Sequence, residues 1–193
     1  MKTIEFSQED MTRRIARFSD LQPISNQQDT SIPQSAKDLI YARKLLPVIG
    51  LEGTEETPLS DSAPIKGAAG MTMTMAVCPP GQGPGLHAHR RTFETFTVLK
   101  GSFEFTWGDS GENSVVLDQC DTISLPPAVC RAFRNVSENE GILQVIITGG
   151  VHDMNDVDVP PVVKYELDSI APEFRQKLKK SGITFTAGIE DSE

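Results

Sequence analysis

Residues 85–107 decide the fold, and they read GLHAHRRTFETFTVLKGSFEFTW. Apolar and polar side chains alternate through 103–107, which is the period of a β-strand with one buried face. A second strand is predicted at 92–99, and a turn at Lys100-Gly101 separates the two. The stretch therefore predicts two successive strands that follow a glycine-rich turn.

Strand patterns continue on both sides of this stretch. Residues 71–75 alternate strictly between methionine and threonine, and a run of prolines and glycines then breaks the chain at 79–85. A hairpin turn is predicted at 108–111, and further strands are predicted at 115–117, 122–125, 132–135 and 143–148. Short strands separated by glycine and proline turns at this density predict an all-β antiparallel sandwich or barrel with its core at 70–150.

The N-terminal part of the chain differs from this core. Residues 1–35 are polar and predict an N-terminal arm, with a short amphipathic helix at 8–18 and a mobile stretch at 22–35. Residues 36–51 are rich in leucine and isoleucine, so they must pack against something, and a short helix followed by a strand is expected. The barrel domain is therefore placed at 36–167.

The C-terminal part predicts one more strand and then a helix. Residues 162–167 are interpreted as the last strand of the barrel domain, and 168–193 as a short helix and tail. Pro172 would stand in the first turn of that helix, lysines near its end, and Gly182 just beyond it. The preceding loop lacks the glycine and closing glutamate of a calcium loop, so it is interpreted as solvated, although it carries Asp153, Asp156 and Asp158.

Composition excludes some classes of function. The formal net charge of −9 argues against binding to nucleic acid or to anionic membranes, since both need clustered Lys and Arg. No apolar stretch approaches the roughly 20 residues of a membrane span, and no signal peptide is visible. The three cysteines show neither a CxxC spacing nor a disulfide framework, which favours a reducing compartment. A cytoplasmic protein is expected.

Three side chains in the opening stretch have the pattern of a metal site. His87 and His89 lie two residues apart on an extended chain, so their imidazoles share one face. Glu94 lies on the strand that follows and can turn to the same interior. Two imidazoles and one carboxylate suit a divalent metal such as Fe, Mn, Ni or Zn. The sequence therefore predicts a metal site on His87, His89 and Glu94.

The same stretch resembles the first motif of the cupin family, in which a glycine-rich turn precedes His-x-His, a glutamate and a glycine. His87, His89, Glu94 and Gly101 match it at the expected spacing. Residues 120–135 are similar to the second cupin motif, and the matching positions there are Asp121, Pro126 and Asn135. The resemblance covers about half of the chain, and it implies a jelly-roll β-barrel.

The second motif departs from the family pattern in three places. Cys120 and Ala128 stand where the family usually has glycine, and Arg131 stands where it usually has the histidine that is the fourth metal ligand. Arginine stays protonated in proteins and does not bind cations. Two interpretations of Arg131 are open: it pairs with the anion of a substrate beside a retained metal, or it pairs with Glu94 in a metal-free pocket.

The resemblance extends to the small cupins that include hydroxylaminobenzoate lyase, with quercetinase-like dioxygenases as competitors. It implies a metal-dependent enzyme acting on a small organic acid, with aromatic acids among the candidates. Glu94 and Arg131 are the predicted catalytic residues, and Arg131, Phe96 and Gln144 the predicted substrate-binding residues. The alternative is a non-catalytic or metal-free cupin that binds a small molecule. A homodimer is also expected, in which 36–51 extends or crosses the sheet.

Overall fold

The computed structural model describes residues 1–51, 62–67, 70–149 and 154–189. The helices are α1 (Gln8–Thr12), α2 (Ser25–Gln28), α3 (Gln34–Ile40), α4 (Pro161–Ile170) and α5 (Pro172–Lys180). The strands are β1 (Lys44–Gly50), β2 (Ile65–Lys66), β3 (Met71–Cys78), β4 (Ala88–His89), β5 (Phe93–Lys100), β6 (Phe103–Trp107), β7 (Asn113–Leu117), β8 (Thr122–Leu125), β9 (Arg131–Asn135), β10 (Gly141–Thr148) and β11 (Val157–Asp158).

Two antiparallel sheets form the body of the molecule. The larger has six strands in the order β2-β1-β3-β10-β5-β8, with only the short β1–β2 pair parallel, and the smaller has the order β7-β6-β9. Phe96 of the larger sheet packs against Phe105 and Phe133 of the smaller one, each pair of ring centroids being 5.2 Å apart. These buried rings hold the two sheets face to face, and the predicted all-β jelly-roll architecture is confirmed.

The predicted strands of the core are present, some of them longer than expected. The hairpin expected at 108–111 joins β6 to β7, which pair antiparallel from Phe103–Leu117 to Trp107–Asn113. In β3 the threonines at 72 and 74 are buried and face inward, while the methionines that alternate with them are half-buried. Periodicity alone identifies a strand, and the neighbouring strands decide which of its faces is inside.

The backbone keeps the conformation of glycine at the two positions where the second motif lacks it. Cys120 has φ 77° and Ala128 has φ 62°, and within the described ranges they are the residues other than glycine with positive φ. Side chains with a Cβ are strained in this left-handed region. The turns before β8 and β9 therefore retain their shape at a cost in stability.

The segment predicted as a polar arm is partly built into the fold. Ile24 is 1% exposed, and its backbone N–H donates to the carbonyl of Leu45 at 3.1 Å. Ile32 is buried in the same apolar cluster as helices α4 and α5. The predicted mobile stretch at 22–35 is therefore wrong, because its few apolar side chains find partners far along the chain. The predicted helix at 8–18 is present only as α1.

Residues 36–51 form a helix followed by a strand, as the sequence predicts. Strand β1 pairs antiparallel with β3 of the same chain, from Lys44–Val77 to Ile49–Met73. The apolar side chains of this segment are thus accommodated within one chain, which removes the original reason for expecting a homodimer. The homodimer stays a prediction.

The C-terminal part is helical where a last strand was predicted. Residues 162–167 lie within α4, so that prediction is wrong. Val163 and Leu167 are four residues apart and buried on one face of the helix, which is the helical rather than the strand period. The expected second helix is confirmed as α5, which begins at Pro172 and is followed by Gly182 with φ 105°. No helix of the described ranges is long and apolar enough to cross a membrane.

Candidate metal centre

Neighbouring strands bring the three predicted metal ligands together. His87 is held by a backbone bridge to Arg131, in which each N–H donates to the other carbonyl at 3.0 and 2.8 Å. His89 follows in β4, and Glu94 is the second residue of β5. Nε2 of His87 lies 3.7 Å from Oε2 of Glu94, and Nε2 of His89 lies 3.6 Å from the same oxygen.

The geometry of these ligand atoms fits one metal ion. One atom from each of the three residues lies within 4.8 Å of the others. Ligand atoms at about 2.1 Å from a common ion are about 3.0–3.4 Å apart, so small side-chain rotations are enough to bring the two imidazoles and the carboxylate into coordination. The donor set of two nitrogens and one oxygen suits Fe, Mn, Ni or Zn.

A buried carboxylate from the C-terminal part fixes the orientation of His89. Asp156 is 2% exposed, and its Oδ2 lies 3.0 Å from Nδ1 of His89. Thr92 donates its hydroxyl to the same oxygen, and the backbone N–H of Arg91 donates to Oδ1 at 2.8 Å. An ionised carboxylate only accepts hydrogen bonds, so Nδ1 of His89 carries a proton, and Nε2 is the ring nitrogen that faces Glu94.

Asp158, the next aspartate along the chain, anchors the same segment. Arg90 donates to Oδ2 of Asp158 at 2.6 Å, and the backbone N–H of Thr186 donates to Oδ1 at 2.7 Å. The interpretation of this loop as solvated is therefore wrong for Asp156 and Asp158, because both are buried and bonded to the strand that carries His89. Asp153 lies outside the described residues.

Arg131 contacts Glu94 rather than the cavity. The side chain is fully buried, its Nε donates to Oε2 of Glu94 at 3.1 Å, and its Nη1 donates to the carbonyl of Val129 at 2.9 Å. Nη2 has no hydrogen-bond partner among the described residues. Arg131 is not one of the described residues that line the cavity. The predicted direct contact between Arg131 and a substrate anion is therefore replaced by a contact that runs through Glu94.

The charged groups of the site shift one another's pKa values. Burial lowers the pKa of His87, so its imidazole is neutral near pH 7, which is the form that binds a metal. Burial raises the pKa of Glu94, but the nearby His89 and Arg131 outweigh it and hold the pKa below its usual value. Burial also opposes ionisation of Asp156, yet the hydrogen bonds from His89, Thr92 and Arg91 lower its pKa to about 2.

A cavity of about 110 Å³ opens beside the three ligands. His87, His89 and Glu94 form its polar end, and Phe96 is part of its wall. Gln144 is outside the lining, which corrects its assignment to the substrate site. In β10 the inward side chains are those of 143 and 145, so Gln144 points to the opposite face, where its Nε2 lies 3.1 Å from Sδ of Met73.

The sequence did not identify the walls that close the cavity. Ile24, Leu39 and Tyr41 come from the segment before β1, while Val159 and Ile183 come from the C-terminal part. A second apolar cluster links these two segments. One indication of these walls was present in the sequence, since the apolar residues of 36–51 must pack against something. It did not indicate which segment they pack against.

Two facing sheets that enclose a cavity with a His-His-Glu cluster define a jelly-roll protein with a candidate mononuclear metal centre. Residues 74–147, the core of the two sheets, match the family model described as a cupin domain, so this part of the chain is a cupin domain. The resemblance first noted in the two motifs is thus confirmed. No curated protein sequence matches the chain.

Solved structures of similar fold share little sequence with this chain. An uncharacterised conserved protein with a double-stranded β-helix domain from Klebsiella pneumoniae is 20% identical, with a TM-score of 0.40 over 43% of this chain and 70% of that one. A predicted oxalate decarboxylase from Thermotoga maritima is 20% identical, with a TM-score of 0.38 over 40% of this chain and 65% of that one. A crystal structure of DMSP lyases is 18% identical, with a TM-score of 0.46 over 61% of this chain and 53% of that one.

Proposed function

We propose that this chain is a metal-dependent enzyme that acts on a small organic acid, in a lyase-like or dioxygenase-like reaction. The observation that carries the proposal is the convergence of His87, His89 and Glu94 at the polar end of an otherwise apolar cavity. When bound, a divalent metal supplies Lewis acidity or a binding position for oxygen. The side chains of the protein hold that position, exclude water from it and orient the acid.

The balance of charge favours an anionic substrate. The negative charge of Glu94 and the positive charge of Arg131 offset each other at 3.1 Å. The two imidazoles bind a metal in their neutral form. Among the described residues, the negative charge left to compensate the metal is that of Asp156, which reaches it by way of His89. An anion that binds at the cavity end of the site would supply the missing negative charge in a medium of low dielectric constant.

Each side chain around the site has a task in this proposal. Arg131 holds one oxygen of Glu94, so the carboxylate cannot rotate freely and its charge stays localised. Asp156 keeps the proton of His89 on Nδ1, away from the ligand atom. Phe96 and Phe133 close the wall of the cavity and keep water away from the reacting end.

The proposal is tested by the metal content of the protein purified without added metal and by its affinity for Co²⁺ and Mn²⁺. We expect close to one metal per chain, and a loss of metal binding of at least about 100-fold in His89→Ala, because two of three ligands do not hold a divalent ion tightly. Gln144→Ala is the matched control, since Gln144 lies outside the cavity. Wild-type protein that binds neither ion contradicts the proposal.

A second candidate function is supported by the buried ion pair between Arg131 and Glu94, which has the contact expected of a metal-free cupin that binds a small molecule. Arg131→Met separates the two candidates. In a metal-free pocket this change leaves Glu94 buried without a partner and lowers stability whatever metal is added. At a metal site it removes a repelling cation, so metal affinity is retained or increased and added metal restores the stability.

A further inference from the structure

We infer that the cavity selects a small acid that has one negative charge and an otherwise hydrocarbon body. The charge would lie at the polar end formed by His87, His89 and Glu94, called the metal end below. The inference narrows the proposed function and rests on it, because the same three ligands supply the polar end. It excludes dicarboxylates and polyhydroxylated acids as substrates.

Polar groups are confined to one end of the cavity. Besides His87, His89 and Glu94, the polar side chains among its described lining residues are those of Thr74 and Tyr41. The hydroxyl of Tyr41 already accepts a hydrogen bond from the amide of Asn26 at 3.3 Å. Away from the three ligands, the polar side-chain groups of the described lining are therefore two hydroxyls, and that of Tyr41 already has one partner.

Hydrocarbon forms the rest of the wall, and it comes from three parts of the chain. The sheets contribute Phe96, Phe133, Val145 and Ile147. The N-terminal segment contributes Ile24, Leu39, Ile40 and Leu45, and the C-terminal part contributes Val157, Val159 and Ile183. Each of these side chains favours the burial of a methyl or methylene group of the ligand, at about 0.8 kcal/mol per CH₂.

A second anionic group on the ligand would find no cation. None of the described lining residues is a lysine or an arginine, and Arg131 is turned to Glu94. The stretches outside the described ranges, 52–61, 68–69, 150–153 and 190–193, contain neither lysine nor arginine. A buried carboxylate without a partner is strongly disfavoured, and a buried hydroxyl without a partner is disfavoured to a lesser extent. Because its described residues include no lysine or arginine, the wall disfavours acids that carry a second carboxylate.

The size of the cavity limits the ligand as well. At about 110 Å³ it exceeds severalfold the roughly 10–15 Å³ that one water molecule needs. A four-carbon acid is therefore a suitable probe, because its carboxylate reaches the metal end while its carbon chain lies among the side chains of Phe96 and Val145.

The experiment uses three acids of equal chain length with the full chain loaded with Co²⁺, whose visible absorption reports ligand binding. We expect butanoate to bind at least about 10-fold more tightly than succinate, which adds a carboxylate, or 2,3,4-trihydroxybutanoate, which adds three hydroxyls. Equal or tighter binding of either competitor overturns the inference. Failure of Co²⁺ to bind at all overturns the proposed function instead, so the two failures are distinguishable.

A variant tests whether the cavity wall causes the selectivity. Leu39 lines the cavity and also a surface groove beside Tyr165 and Glu166, so a long side chain placed there has room. Leu39→Arg adds a cation to the lining of the cavity and should raise the affinity for succinate relative to butanoate at least about 10-fold. Leu39→Gln is the matched uncharged control and should leave the preference unchanged. An arginine variant that folds and binds Co²⁺, but shows no change in preference, contradicts the assignment.

Discussion

Replacing Asp156 with asparagine should weaken metal binding although Asp156 is not itself a ligand. The carboxylate accepts hydrogen bonds from His89, from Thr92 and from the backbone N–H of Arg91. The amide of asparagine has one oxygen, and only that oxygen can accept the hydrogen bond from the backbone N–H of Arg91. The NH₂ group of the amide therefore faces His89.

The consequence for His89 follows from the chemistry of imidazole. If an N–H group faces Nδ1, then Nδ1 must accept and the proton moves to Nε2, the atom that lies 3.6 Å from Oε2 of Glu94. A protonated Nε2 cannot bind a metal. Loss of such an outer partner of a metal-binding histidine weakens metal affinity by about 10–100-fold, and loss of a charge-assisted hydrogen bond costs about 1.5–3 kcal/mol of stability.

The assay is isothermal titration with Co²⁺ or Mn²⁺, and Asp158→Asn is the control. Asp158 lies two residues further along, is equally buried and is bonded to Arg90 and Thr186 without contacting His89. We expect Asp158→Asn to lose a similar amount of stability and to keep its metal affinity. If Asp156→Asn binds metal as tightly as wild type, or if both variants lose affinity equally, the assigned role of Asp156 is refuted.

Three further outcomes are expected. Arg131→His replaces a cation beside Glu94 with an imidazole, so calorimetry should show metal affinity at least about 10-fold higher than wild type; unchanged affinity would count against a metal beside residue 131. Ala128→Gly relieves a left-handed φ of 62° and should stabilise the fold by about 1 kcal/mol, or about 2–4 °C in melting temperature, whereas Ala132→Gly in the extended strand β9 should destabilise it. Folding lowers the pKa of Asp156 from 3.8 to about 2, so the ionised carboxylate stabilises the fold by about 2 kcal/mol above pH 4, and this stabilisation is lost as the pH falls through 2. The free energy of unfolding of wild type and of Asp156→Asn is measured by urea titration from pH 6 to pH 2. The difference between the two proteins should shrink over that interval.

The prediction of the core succeeded because its signals are local. Alternation with a period of two depends only on neighbouring residues, and it marked β3 and β6 before any contact was known. The candidate metal ligands were identified for the same reason, since His87, His89 and Glu94 lie within eight residues of one another. At 162–167, where a strand was predicted, Val163 and Leu167 lie four residues apart, which is the spacing of one buried helix face.

The features of the site that the sequence did not predict are contacts between residues far apart along the chain. Asp156 reaches His89 across 67 residues, and Arg131 reaches Glu94 across 37. No pattern near residue 156 distinguishes a buried hydrogen-bond acceptor from a solvated aspartate, because burial is decided by the elements that pack around it. The same holds for Gln144, which strand alternation placed on one of two faces without saying which of them is inside.

The amino-acid sequence by itself determined the strands, their turns and the three candidate ligands, because each of these depends on residues that are close along the chain. Only the tertiary structure decided that Arg131 is turned to Glu94, that Asp156 orients His89, and that the N- and C-terminal segments close an apolar cavity over the site. Those contacts join distant segments, and the free energy that selects them comes from packing and burial summed over the whole fold.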